Sequence, residues 1–334
     1  MNKFSIILPV KNGGDYLKEC VNSILSQTYT NFNLLILENC STDNTLNWLM
    51  SLHDDRIKIY PSSESLVIEE NWARVLSIPK NEFMTLIGHD DILLPNYLQV
   101  MNDLIIKYPD ASLYQAHFNY IDSVGNVIRH CKKMNETQYP EEVLGNFMSS
   151  NTDVIGTGFM MRSEDYNNTG GIPQYPSLLF ADFELWINLS QKGFLAVAQE
   201  NTFAFRIHQS TTSTSSDLKM LEAFDCFIKY LEKLQHQDKK FLDVITDKIN
   251  LLLNFYCRGL TSRLIRSSLK KRNGLLVKQV IKRFENYAIG FPASKKFNPF
   301  NNLTILLAYI IDSNFITRFL FLVFKKTYSK PLVN

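Results

Sequence analysis

The chain has 334 residues, of which 45% are hydrophobic, 12% aromatic and 20% charged, with 13 Gly and 11 Pro. This composition excludes a disordered, collagen-like or linker-like polymer and is enough for one large domain and a smaller one. The net charge of +2 hides a split: residues 1–216 carry 14 Lys+Arg against 24 Asp+Glu (net −10), and residues 217–334 carry 21 against 9 (net +12), so two functional parts are expected, the second facing an acidic surface.

Phe4–Val10 reads as a buried strand closed by the loop Asn12-Gly13-Gly14. Leu17, Cys20, Val21, Ile24 and Leu25 then fall on one face of an amphipathic helix, with Asp15 as its cap. Asn33–Glu38 is a second buried strand, and Ser41-Thr42-Asp43 caps a helix carrying Leu46, Leu49 and Met50. Arg56–Tyr60 alternates as a strand, 68–77 reads as helix, and Phe83–Ile87 as a further strand. Pro95 suits the first turn of a helix bearing Leu98, Met101, Leu104 and Ile105. Repeated β-α units of this length predict an α/β fold: a doubly wound, mostly parallel (mixed) sheet flanked by helices. Ligands bind such sheets beyond the carboxyl ends of the strands. Neither G-x-G-x-x-G nor G-x-x-x-x-G-K-[ST] occurs, which removes support for a dinucleotide oxidoreductase or a P-loop NTPase.

Three polar clusters follow strands: Lys11-Asn12, Glu38-Asn39 and His89-Asp90-Asp91. Two adjacent carboxylates beside Gly88 suit a hard divalent cation. They equally suit a solvated turn in which Asp90 or Asp91 caps the helix near Pro95. Downstream, Asp182 and Glu184 open a helix whose apolar face is Leu185, Trp186 and Leu189, where Asp182 also suits a cap and Glu184 a first-turn charge favoured by the helix dipole. Arg206 and His208 end the strand Phe203–Ile207. The glycines of 154–180 (Gly156, Gly158, Gly170, Gly171) permit either a close backbone approach or simple turns. Five scattered cysteines without a C-x-x-C pair exclude a disulfide framework or zinc knuckle and suit a reducing cytosol. Phe4–Val10 is too short, and too interrupted by Pro9, for a secretory signal.

Taken together, from about Phe4 to Ser213, these blocks resemble the inverting family-2 glycosyltransferases with a GT-A fold, of the bacterial surface-polysaccharide type. The resemblance rests on Ser5–Asn12 through Cys20–Tyr29, on Glu38–Thr45 where the family shows a D-D-x-S-x-D stretch, and on Asn71-Trp72-Ala73-Arg74 followed by Asn81-Glu82-Phe83. It implies transfer of a sugar from a nucleotide-diphosphate donor to an acceptor hydroxyl. A UDP- or dTDP-sugar is expected before a GDP-sugar, and Mg²⁺ or Mn²⁺ as cofactor. Carried over by position, Pro9, Lys11, Glu38 and Asn39 would line the donor base. Asp90 would hold ribose, and Asp90 with Asp91 the cation. Asp182 would be the catalytic base, and Arg206 and His208 would face the diphosphate or its metal, with Arg74 a further phosphate ligand. Gly156, Thr157, Gly158 and Glu184 would form the acceptor side. Three departures stand out: Asn39 replaces the second acid of the D-D pair, Gly88 the first Asp of D-x-D, and Ala181 the Glu that often precedes the base.

Beyond Leu218 the chain reads as helical and the resemblance lapses. Arg258–Lys330 holds 15 basic and 2 acidic residues, followed through Leu303–Ile311 and Phe315–Phe324 by apolar stretches that Asp312 and Arg318 interrupt, so a spanning helix is not expected. An anionic membrane surface is the expected partner of this region, with a homodimer through a soluble helical bundle as the competing reading. No nucleic-acid module is recognised. The expectation is a cytoplasmic enzyme, peripheral on the inner face of the plasma membrane, acting on a lipid-linked saccharide. The rivals are a nucleotidyltransferase, which wants a more basic Gly-rich loop than Lys11–Gly14, and a non-catalytic carbohydrate- or membrane-binding scaffold.

Overall fold

In the computed structural model, which describes residues 3–153, 155–208, 216–292 and 294–328, the run Phe4–Val10 is strand β1 and every residue of it is buried. A strand covered on both faces needs such a continuous apolar sequence. It pairs in parallel with β2 (Phe32–Glu38), which pairs with β3 (Ile57–Pro61), and on its other side with β4 (Phe83–Leu86). The remaining strands are β5 (Ile92–Leu93), β6 (Leu113–Ile121), β7 (Val127–His130), β8 (Thr137–Gln138), β9 (Met160–Arg162) and β10 (Leu195–Arg206). The sheet order is β3-β2-β1-β4-β9-β6-β10-β5, with β7 on β6 and β8 on β10. β9 is antiparallel to both β4 and β6, and β5 to β10, so the sheet is mixed around a parallel core.

Pro9 is tolerated in this central strand for a local reason. The Ile7 carbonyl accepts the Ile87 N–H on the β4 side, and two residues later Pro9 faces the same side past the end of β4. No ladder N–H is needed there.

Among the described residues, seven helices accompany the sheet: α1 (Gly14–Leu25), α2 (Thr45–Met50), α3 (Ile68–Ala73), α4 (Tyr97–Lys107), α5 (Pro140–Met148), α6 (Ser163–Asn168) and α7 (Ala181–Ser190). α1 buries Leu17, Cys20, Val21 and Ile24, the face its spacing predicts. Local starts and stops differ from the expectation by a few residues. Gly13 occupies the cap position of α1 and Asp15 its first turn. Asn96 precedes α4, leaving Pro95 outside it. The stretch 68–77 tightens into a 3₁₀ turn at Arg74–Leu76.

The chain divides into two units, Met1–Thr214 and Ser215–Asn334. The second is helical throughout its regular structure: α8 (Asp217–Leu234), α9 (Lys239–Ile265), α10 (Val277–Ile289), α11 (Leu303–Asp312) and α12 (Phe315–Tyr328). Side chains of Ser216, Asp238 and Asn302 cap α8, α9 and α11 by accepting the N–H groups of Lys219, Lys240 and Thr304. Among the described residues no single helix is long and apolar enough to cross a membrane.

Gly193, in the turn from α7 to β10, tests this packing. A Cβ there would lie 2.4 Å from the Asp110 carbonyl oxygen and 3.2 Å from the Ser112 nitrogen, both backbone atoms. Gly193→Ala is expected to cost about 2–3 kcal/mol of unfolding free energy in urea titrations; a loss below roughly 0.5 kcal/mol would show that this turn yields freely.

Candidate active site

The parallel strands carry their carboxyl ends to one edge of the sheet: β1 stops at Val10, β2 at Glu38, β4 at Leu86, β6 at Ile121 and β10 at Arg206. β9 runs the opposite way, so residues 156–158 enter the sheet at that same edge.

Asp91, in the turn after β4, is 2% exposed. Its Oδ2 accepts from the Thr157 hydroxyl at 2.6 Å and its Oδ1 from the Arg206 backbone N–H at 3.0 Å. Burial, and next the charge of Asp90, push its carboxyl well above the ordinary range. It is therefore not a solvated cap. Asp90 points the other way: its Oδ2 lies 2.6 Å from His208 Nε2, and both side chains are partly exposed. Gly88 leaves these acids room, since a Cβ there would stand 2.7 Å from Asp90 Oδ1 and 3.3 Å from Asp91 Oδ2.

Asp182 is the second residue of α7. Its Oδ1 accepts the Phe183 N–H at 3.1 Å, and its Oδ2 would be 3.5 Å from a Cβ on Gly156. Desolvation pushes this carboxyl up to about 6. Gly156 and Thr157 are consecutive, so the backbone that meets Asp182 also supplies the hydroxyl that holds Asp91. Asp182, distant in sequence, is thus gathered with the adjacent Asp90 and Asp91 at one edge. Glu184, one residue beyond Phe183, accepts from the Tyr175 hydroxyl. Gly158 does not face this crevice: at φ +78 its N–H bonds to Leu86 and its Cβ position is filled by the Phe203 ring at 2.6 Å. Val154, at the start of the expected acceptor segment, and Ser213, where the resemblance ends, lie outside the described residues.

On the other side of β1, Glu38 is 1% exposed. Its Oε1 accepts the Ser41 N–H at 2.7 Å, while its Oε2 is buried without a partner among the described residues. Pro9 is buried in β1, and Lys11 reaches Ser65 Oγ at 2.6 Å in an exposed pair. Asn39 turns its whole amide onto one residue, Oδ1 accepting from Leu66 N at 2.8 Å and Nδ2 donating to Leu66 O at 3.0 Å.

Both arginines expected at phosphate hold backbone instead. Arg206 donates from Nε to the Asp90 carbonyl (2.8 Å), from Nη1 to the carbonyls of Asp122 (3.2 Å) and Ser123 (3.3 Å), and from Nη2 to Glu19 (2.6 Å). Its side chain has no exposed surface. Arg74 donates to the carbonyls of Glu38 (3.0 Å) and Tyr60 (2.5 Å) at the ends of β2 and β3, and to Asn71 Oδ1 (2.9 Å). Strand ends leave carbonyls unpaired, and a guanidinium is the side chain best shaped to collect several.

Residues 5–170 match the model of glycosyl transferase family 2. The chain belongs to this family. Glycosyltransferase GlyG of Streptococcus pneumoniae serotype 4 is 27% identical over 124 residues, 36% of this chain and 41% of GlyG, so the match spans less than half of that relative. The UDP-Glc:alpha-D-GlcNAc-diphosphoundecaprenol beta-1,3-glucosyltransferase WfgD of Escherichia coli is 21% identical over 230 residues, 68% of this chain and 86% of WfgD. Among solved structures, S. aureus TarS 1–349, crystallised with UDP-GlcNAc, superposes with a TM-score of 0.64 at 12% identity, covering 86% of this chain and 90% of that one. The fold is GT-A-like, and the protein is a glycosyltransferase.

Family members of this fold generally use a divalent cation, and this glycosyltransferase offers a partial donor set for one. Asp90 and His208 present a carboxylate oxygen and an imidazole nitrogen side by side. Asp91 has both oxygens in hydrogen bonds. No cluster of three His, Cys, Asp or Glu suited to a metal occurs among the described residues. Asp90 and His208 are the residues that would hold such a cation, a donor set compatible with one also bound by its substrate. Tyr16 and Glu19, one turn apart on α1, escape a reading of motifs alone: Glu19 pairs with Arg206, and the Tyr16 ring lies 4.5 Å from the Arg206 guanidinium and 5.1 Å from the His208 ring.

Asn39→Asp restores the acid common in the family and should weaken the fold. A carboxylate at neutral pH cannot donate to the Leu66 carbonyl. A loss of about 1–3 kcal/mol at pH 7 is expected in denaturant titrations; unchanged stability would mean that Leu66 does not depend on the amide.

Proposed function

We propose that this glycosyltransferase moves a sugar, with inversion, from a nucleotide-diphosphate donor to a hydroxyl of a lipid-linked saccharide in bacterial surface-polysaccharide synthesis. The observation that carries the reading is the meeting of Asp182 with the Asp90–Asp91 turn through Gly156 and Thr157. Inverting transfer needs one proton acceptor on the acceptor side and charge neutralisation on the leaving-group side. Asp182 is suited to the first task, because a carboxyl raised to about 6 is still ionised at neutral pH yet more basic than an exposed one. Glu184 and Gly156 adjoin it and make the acceptor side.

Asp90 and His208 would hold the cation. A bound Mg²⁺ or Mn²⁺ supplies Lewis-acid neutralisation of the departing diphosphate. Asp91, Arg206 and Thr157 hold this corner together without touching the reacting atoms. At the base pocket, the unpartnered Oε2 of Glu38 calls for an N–H donor. Uracil and thymine each present one on their pairing edge, which supports a UDP- or dTDP-sugar. The UDP-GlcNAc bound to TarS and the UDP-glucose and undecaprenyl-linked acceptor in the name of WfgD point to the same classes of donor and acceptor. A lipid-linked acceptor places the enzyme at the inner face of the plasma membrane.

Asp182→Asn is expected to lower kcat by about 10²–10⁴-fold while nucleotide binding, followed by thermal shift, stays within about twofold. In the wild type, kcat/KM should rise with pH through about 6 as Asp182 loses its proton. The opposite slope, or turnover near wild type in the variant, removes Asp182 from the base role.

A further inference from the structure

Along the first three turns of α12, from Phe315 to Phe324, the residues facing solvent are apolar. Phe315, Ile316, Phe319, Leu320 and Val323 repeat at i, i+1, i+4, i+5 and i+8 and are 46–75% exposed, while Thr317 and Arg318 turn inward. In α11, Leu303, Leu307 and Ile310 make a second exposed stripe. Soluble helices turn such stripes into the core.

The bend of 113° between α11 and α12 is held by a buried charge cluster. Asp312, 5% exposed, takes Arg272 Nη2 and Arg318 Nε on Oδ1 and the Val277 N–H on Oδ2, and its carbonyl accepts Arg318 Nη2 at 2.7 Å. Removing one partner from such a cluster is costly, so the elbow is a fixed shape.

The surrounding charge has one sign. Of the two acids after Arg258, Asp312 is spent inside this cluster, leaving Glu285 as the exposed one. Arg266, Lys270, Lys271, Lys278 and Lys326 are exposed. Lys325 Nζ donates to the Arg266 carbonyl at 3.2 Å, which sets the basic turn 266–271 beside the carboxyl end of α12.

We propose that the α11–α12 elbow is the membrane-docking element: it lies in the plane of an anionic bilayer, with its apolar stripes among the acyl chains and the basic turn on the headgroups. This rests on the reading of a membrane-borne acceptor given above. The helices, of 10 and 14 residues, are roughly 15 and 21 Å long at 1.5 Å per residue. Neither crosses a hydrocarbon core of about 30 Å, so the elbow lies on the bilayer and does not span it. A second copy of the chain is a poorer occupant, because pairing would bring together two regions that each carry net +12 over residues 217–334. Anionic lipid removes that repulsion.

Flotation of the full chain with phosphatidylcholine vesicles, with and without phosphatidylglycerol, tests this. The wild type should float with the anionic vesicles at low salt. Phe319→Ser with Leu320→Ser, and separately Lys270→Glu with Lys271→Glu, should each lower the bound fraction about tenfold or more with the thermal midpoint unchanged. Flotation that survives both double variants overturns the elbow while leaving the membrane-borne acceptor standing. A wild type that does not float overturns the elbow; if it sediments as a dimer that the Phe319/Leu320 variant dissolves, the stripe belongs to a second copy.

Discussion

A buried aspartate is the joint on which the site depends. Asp91 has no solvent and a charged neighbour, so its ionised form is disfavoured there, and what retains it is a pair of hydrogen bonds. Those bonds come from Thr157 at the mouth of β9 and from the backbone of Arg206 at the end of β10. The carboxylate thus ties the turn after β4 to the neighbouring strand β9 and, two strands further on, to β10. Together with the β4–β9 ladder and the Gly158 N–H on Leu86, that tie sets Gly156 against the Asp90 turn, and Asp182 meets Gly156. A buried acid is costly to maintain, and its persistence here follows from the three segments that converge on it.

The same corner accounts for the charge of the crevice. Arg206 and Arg74 are committed to carbonyls at Asp90, Asp122, Ser123, Glu38 and Tyr60. They stiffen the rim and leave the interior to Glu38, Asp90, Asp91 and Asp182. An anionic diphosphate entering a crevice lined by carboxylates meets repulsion unless a cation accompanies it. The proposed function meets this charge balance with an ion at Asp90 and His208, since both guanidinium groups are already committed to carbonyls.

How much of this was legible in the sequence follows from how local each cause is. The strands β1, β2 and β4, the buried face of α1 and the polar clusters after each strand depend on short apolar periods, and they stand where those periods put them. Asp182 at the opening of α7 and Glu38 at the end of β2 were readable for the same reason. The roles of Arg206, Asn39 and Asp91 were not, because each is decided by a partner distant in the chain. Arg206 meets Asp91 across 115 residues and Glu19 across 187. Asn39 stands where the family shows the second acid of its D-D pair, but its amide matches both the N–H and the C=O of Leu66, which a carboxylate cannot do. Gly158 looked like acceptor-side freedom, and its positive φ instead lets the chain pass over the Phe203 ring.

The approach to α7 was also invisible from sequence and bears most directly on the chemistry. Ser177, Leu178 and Phe180 all have φ between 55 and 67, a left-handed conformation costly for side-chain-bearing residues. Nothing in their identities announces it. The segment is held from two directions, by the Ser177 N–H on Glu69 of α3 at 2.6 Å and by the Tyr175 hydroxyl on Glu184 of α7 itself. Three left-handed residues within four positions fold the backbone tightly, and the helix that emerges begins at Ala181 with Asp182 in its first turn. A relaxed linker would let that first turn fray. Fixing it by strain on one side and by Gly156 on the other aims one carboxylate at the edge of the sheet where the Asp90 turn waits, which is the geometry that the proposed base role of Asp182 requires.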